Sequence, residues 1–227
     1  VHKVTHRIAG RLGTPCGHGA LVVARVLHHL HTALAQAVQS GKALYVGISS
    51  YSTERTQAMA ELLREWKIPL LIHQPSYNLL NRWVDKSGLL DALEHNGVGC
   101  IAFTPLAQGL LTGKYLNGIP DGSRMQTEGK KARGLTENML SESNLSSLRL
   151  LNELAQQRGQ SMAQMALSWL LKDQRVTSVL IGASRPEQIE ENVKALDNLH
   201  FSPEELAQID KHVADGQLNL WQASSDK

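Results

Sequence analysis

The stretch VLIGASRPEQIEENVKAL, residues 179–196, runs from an apolar strand through a Gly-x-Ser corner, Gly182 to Ser184, into a helix whose first turns carry Gln188, Glu191 and Asn192. The last three fall on one face of that helix, near its start. On these residues alone two readings stand. In one, Ser184 caps the helix and the other side chains form a solvated face. In the other, the amide donors and dipole of the helix N-terminus hold an anion at the corner.

Outward from this unit the chain repeats its pattern. ALYVGISS (Ala43–Ser50) reads as a strand, and STERTQAMAELLREWK as a helix with a Ser or Thr cap. PLLIHQPSYN is a second strand, KSGLLDALEHNG a helix stopped by Gly97, and VGCIAFTPLAQG a third strand. The polar segment Asn117–Ser143 reads as a loop. Two helices follow, NLSSLRLLNELAQQRG and SMAQMALSWLLKD, then the strand RVTSVLIGAS, the helix PEQIEENVKAL and a last helix from SPEELAQIDKHV.

Almost wholly apolar strands alternating with helices predict an α/β fold with a covered parallel sheet, either a (β/α)8 barrel or a doubly wound sheet. The polar residues gather where the strands end: Ser49 and Ser50, His73 and Gln74, Thr104, then Gly182 and Ser184. Both folds bind ligands at that end. No strand is followed by GxGxxG, which counts against a Rossmann fold, and GLLTGKY (Gly109–Tyr115) is one residue short of a phosphate loop and lacks its Ser or Thr.

The 227 residues can build one domain with a proper core, and the 42% hydrophobic and 19% charged residues are ordinary for a globular protein. No apolar run is long enough for a membrane span and no signal peptide is visible, so a cytoplasmic location and no membrane partner are expected. Cys16 and Cys100 support neither a disulfide framework nor a CxxC metal site. The first acidic residue is Glu54, while Lys3, Arg7, Arg11, Arg25 and Lys42 precede it; the remainder of the chain holds 18 basic residues against 21 acidic ones. Six of the ten histidines, His2, His6, His18, His28, His29 and His31, lie in the same early segment. With no interleaved aromatics and no further ligand cluster, neither nucleic acid nor a metal at HHLH is the expected partner.

VGISSYS (46–52), HQPSYNLLNR (73–82), AFTPLAQGLLTGKY (102–115) and LIGASRPEQIEENVKAL (180–196), in this order and at these separations, closely resemble the aldo-keto reductases. Within that family the motifs are most similar to the bacterial reductases of L-glyceraldehyde 3-phosphate, with potassium-channel beta subunits more distant. The resemblance runs from about Ala33 to Lys227. It implies a (β/α)8 TIM barrel that lacks its first strands, NADPH as cofactor, and a small aldehyde such as L-glyceraldehyde 3-phosphate or methylglyoxal as substrate.

The resemblance also assigns roles. Ser49 and Gln74 would hydrogen-bond the nicotinamide carboxamide, and Phe103 would stack on its ring. Thr104, Leu106, Ala107 and Gln108 would line the pyrophosphate, with Lys114 and Arg124 as phosphate clamps. Gly182 would let the backbone come close to the adenosine end, Ser184 would donate to the 2′-phosphate, and Gln188, Glu191 and Asn192 would meet adenine and ribose. His73 receives no role.

The family's proton donor, a tyrosine tuned by a lysine and assisted by histidine and aspartate, comes from the first strands. The resemblance implies that the sequence at hand starts beyond them. Tyr45, Tyr51, Tyr77 and Tyr115 lie in other segments, and His6 is out of register, so no catalytic residue is expected here. Residues 1–32, basic and rich in His and Gly, read as an atypical segment from a truncated or frame-shifted gene; 33–227 would be the NADPH-binding part of the barrel. A barrel missing about three of its eight strands leaves open edges, so marginal stability or aggregation is expected. The expected function is therefore aldehyde reduction by descent, impaired in this chain; the alternatives are a non-catalytic NADPH-binding module and an unstable product. A homo-oligomer is left open.

Overall fold

The computed structural model describes residues 30–119, 121 and 140–213. Residues 30–39 form helix α1. There follow β1 (Val46–Ser49), α2 (Thr53–Glu65), β2 (Leu70–Gln74), α3 (Trp83–Lys86), α4 (Leu89–Asn96) and β3 (Gly99–Phe103). After a 3-10 turn at Ala107–Thr112 come α5 (Glu142–Gln157), α6 (Met162–Leu171), β4 (Val176–Leu180), α7 (Pro186–Val193), a 3-10 turn at Lys194–Asp197, and α8 (Pro203–His212). Among the described residues no helix is long and apolar enough to cross a membrane.

The helices after Ser52, Ser161 and Ser202 start where the sequence signals placed them, while α5 starts two residues earlier than expected. Ser52, Ser141, Ser161 and Ser202 each accept an amide hydrogen bond at an N-terminus, and Gln164 and Glu205 return the bond to complete capping boxes at α6 and α8. Other expected elements are shorter or broken. Strand β1 begins only at Val46, with Leu44 and Tyr45 out in solvent. The helix expected across Lys86–Gly97 is interrupted at Gly88, whose φ of +70° cannot continue a helix, and α7 gives way to the 3-10 turn after Val193. Part of the expected loop Asn117–Ser143 lies outside the described residues, and its last two residues belong to α5.

The four strands are parallel and pair in chain order, β1-β2-β3-β4. A doubly wound sheet reverses its strand order at the point where ligands bind; this sheet does not, and the order is that of a barrel arc. Registers Ile48↔His73, His73↔Cys100 and Cys100↔Val176 place these side chains on one face, where they are buried with α2, α4 and α6. Met59, Leu63, Leu93, Met165 and Trp169 fill the layer between sheet and helices. The opposite face carries Gly47, Ser49, Ile72, Gln74, Gly99, Ile101, Phe103, Ser178 and Leu180, none of them buried. The open face is thus the concave side of the arc, where a barrel keeps its interior.

Candidate functional site

At the C-terminal ends of the strands the backbone stops being regular. Ser50 and Thr104, each the first residue beyond its strand, have φ near +55°, and Ala107, Gln108 and Gly109 continue with φ of +46°, +59° and +97°. Non-glycine residues enter this region seldom and at a cost, and such strain clusters where a protein binds or reacts.

Three residues anticipated from sequence meet on the open face. Ser49 and Gln74 are register partners, and the Ser49 hydroxyl donates to the Gln74 carbonyl at 2.8 Å. Phe103 lies on the same face, opposite Leu180, and its N–H donates to the Pro75 carbonyl one residue beyond Gln74. Thr104 and Leu106 are half-buried, Ala107 is buried, and Gln108 is half-buried in the turn that follows. Lys114 is exposed and folds back over this turn, with its ammonium 4.8 Å from the Tyr115 ring centroid. Arg124 lies outside the described residues.

The corner after β4 differs from the reading in which Ser184 caps the helix beside a solvated face. The helix cap is Arg185, and the Gln188 side-chain oxygen accepts from the Ser184 N–H at 2.8 Å, the Arg185 N–H at 3.2 Å and the Ser184 hydroxyl at 3.2 Å. Gln188 therefore folds the corner and aims Ser184. Glu191 is exposed; its carboxylate accepts from Gln164 at 2.9 Å and stands 3.7 Å from Lys194. Asn192 is buried rather than part of a solvated face. At Gly182 a Cβ would meet nothing within 4 Å and φ is not positive, so the chain itself does not require glycine there.

His73 is fully buried on the helix-covered face. Its Nε2 accepts from the Tyr51 N–H at 3.1 Å, Nδ1 has no partner, and burial lowers its pKa to about 4. It is neutral at physiological pH and points away from the open face. The same burial acts in the opposite direction on Cys100, beside it in the sheet, whose thiol pKa is pushed up to about 12.

Ser76, Asn78 and Asn81 were passed over in the sequence. Each is buried and each hydrogen-bonds below the strand tips. The signal was present in SYNLLN: small polar residues inside an otherwise apolar run must find buried partners.

The aldo/keto reductase family model matches residues 17–214. The chain belongs to the aldo/keto reductase family. It is 84% identical over 196 residues, 86% of this chain and 57% of the relative, to the L-glyceraldehyde 3-phosphate reductases of Escherichia coli O157:H7 and of strain K12. A Schizosaccharomyces pombe protein named as a candidate voltage-gated potassium channel subunit beta is 36% identical over 79% of this chain and 53% of its own length. Among solved structures, the glycerol dehydrogenase of Gluconobacter oxydans aligns with a TM-score of 0.64 at 27% identity, over 85% of this chain and 56% of that one. A thermostable aldo-keto reductase in complex with the inhibitor epalrestat aligns with a TM-score of 0.56 at 26% identity, over 82% of this chain and 54% of that one. The chain thus spans little more than half the length of these relatives, and the open arc is the family's parallel sheet with its helices.

Proposed function

We propose that this chain is the NADPH-binding part of an aldo-keto reductase acting on small aldehydes such as L-glyceraldehyde 3-phosphate or methylglyoxal. The observation that carries the reading is the meeting of Ser49, Gln74 and Phe103 on one open face at the strand ends. A flat ring would find an aromatic surface in Phe103 and polar groups in Ser49 and Gln74. The cofactor supplies a hydride when bound.

The residues present fit a phosphorylated dinucleotide. Gly182 leaves free space that the fold has no need of, which suits a closely approaching group. Gln188 orients Ser184 toward the start of α7, where peptide donors and the helix dipole favour an anion such as the 2′-phosphate. Lys114 brings an exposed cation to the turn that follows Phe103, suited to the pyrophosphate. The polar and strained elements thus run along one edge of the sheet, from Ser49 to Ser184.

A second reading, cofactor binding with little turnover by this chain alone, has support of its own. Tyr77 is buried, packed edge-on against Trp169, and burial raises its pKa, which opposes proton donation; the Tyr115 hydroxyl is also buried. Quenching of Trp fluorescence on NADPH titration tests the first half of the proposal, and NADPH oxidation with methylglyoxal or L-glyceraldehyde 3-phosphate separates the two readings. Absence of saturable NADPH binding by a folded chain would overturn both.

A further inference from the structure

We propose that Asn78 is a positioning residue: with Ser76 and Asn81 it holds Thr104 in its left-handed conformation, and so presets the turn on which the cofactor's pyrophosphate is to lie. The inference rests on the NADPH-binding reading above.

Thr104 has a φ of +55°, an unusual setting for a β-branched residue, and such strain persists only where the surroundings over-determine it. They do so here. The Asn78 side-chain amide donates to the Thr104 carbonyl at 2.8 Å, and the same carbonyl accepts the Ala107 N–H at 3.0 Å, closing the turn. The Asn78 oxygen accepts the Leu80 N–H at 3.0 Å, so the amide can have only one orientation. The Thr104 hydroxyl donates to the Phe103 carbonyl at 2.7 Å, which leaves Ser76 as the donor in the 2.9 Å contact between the two hydroxyls. Asn81 in turn donates to the Ser76 hydroxyl at 3.1 Å, and the Trp83 indole donates to the Ser76 carbonyl at 2.7 Å. The donors therefore run one way, Asn81 to Ser76 to Thr104 to Phe103, and end at the residue whose ring faces the open side. Ser76, Asn78 and Asn81 are only 1%, 2% and 2% exposed. Apolar residues would fill that space without needing partners; this network directs Thr104 instead. After Pro105 and Leu106 the positive φ recurs at Ala107, Gln108 and Gly109.

The test uses the full chain and two readouts, NADPH affinity by Trp quenching and amide hydrogen exchange at Ala107 and Gly109. Asn78→Ala is expected to weaken NADPH binding at least about tenfold and to speed exchange at Ala107 by a similar factor, while the amides of β3 keep their protection. Adding Thr104→Gly, which adopts the left-handed backbone unaided, is expected to recover most of the lost protection at Ala107; NADPH affinity is read only on the variants that keep Thr104, since Thr104 itself lines the proposed pyrophosphate site. A packing defect would not respond to that second change. If Asn78→Ala does not fold, Ser76→Ala, which removes one hydroxyl, is expected to give a smaller loss of the same kind. Unchanged exchange at Ala107 in the folded variants, or no recovery with Thr104→Gly, would overturn the positioning role. Failure of the unsubstituted chain to bind NADPH, with exchange at Ala107 still answering to Asn78, would overturn the cofactor reading and leave the positioning of the turn supported.

Discussion

Lys114 occupies the space where a side chain on Gly109 would begin: a Cβ there would lie 2.8 Å from both the Lys114 Nζ and Cε. With φ of +97° at Gly109, the turn after β3 depends on glycine for its backbone and for the seat of its cation. Gly109→Ala should destabilise the fold by about 1–2 kcal/mol, the cost of an L-residue in that region. It should also move the ammonium, weakening NADPH binding without altering helix content. Thermal melting and Trp quenching of the variant check this; an unchanged affinity would detach Lys114 from the phosphates.

Ser184→Ala separates the two jobs at the β4–α7 corner. The Gln188 oxygen keeps its bonds to the Ser184 and Arg185 amides, so stability should change little. The affinity for NADPH should fall by about three- to tenfold while that for NADH stays constant, because only the former carries the 2′-phosphate. Equal losses for both nucleotides would show that Ser184 shapes the corner without reading the phosphate.

His73 makes stability depend on pH. Its folded pKa of about 4 lies below the ordinary 6.5, so the unfolded chain takes up the proton first as pH falls. The contribution is complete above pH 6.5 and is lost as pH drops from 6.5 through 4, by about 3 kcal/mol in all. His73→Gln, which retains an acceptor for the Tyr51 amide, should be less stable at pH 7 and show a shallower decline between pH 6.5 and 4. Denaturant melts of both proteins across that range provide the comparison.

Arg158 ties the end of α5 to α8. Its guanidinium, 2% exposed, pairs with Glu205 at 2.6 Å, lies 3.6 Å from the Phe201 ring centroid, and donates to the His200 carbonyl at 2.8 Å. Arg158→Ala should cost about 3 kcal/mol, the lower end for a broken buried ion pair, since Glu205 keeps some access to water. Arg158→Lys should recover only part, lacking the planar fork that serves three partners. Urea melts measure both.

Much of this protein was legible in the chain. Apolar strands alternating with capped helices announced a parallel α/β sheet, since residues such as Ser52, Ser161 and Ser202 act on amides within their own turn. The motifs also carried the family, which the match over residues 17–214 shows. Periodicity alone left barrel arc and doubly wound sheet open, because strand order depends on which distant segments pair; the family resemblance implied the barrel, and the order β1-β2-β3-β4 agrees with it. The same holds for the face on which Ser49, Gln74 and Phe103 meet: a one-residue shift of register would have turned them toward the helices. That Gln188 folds the corner after β4 was not visible in the sequence, and Asn78, read there as the end of a strand, lies beyond β2 and holds Thr104. Local physics decides helices, caps and turns, because their partners are near in sequence. Which polar group supports which strained residue is decided by contacts across 26 positions of chain, and those exist only once the sheet has formed.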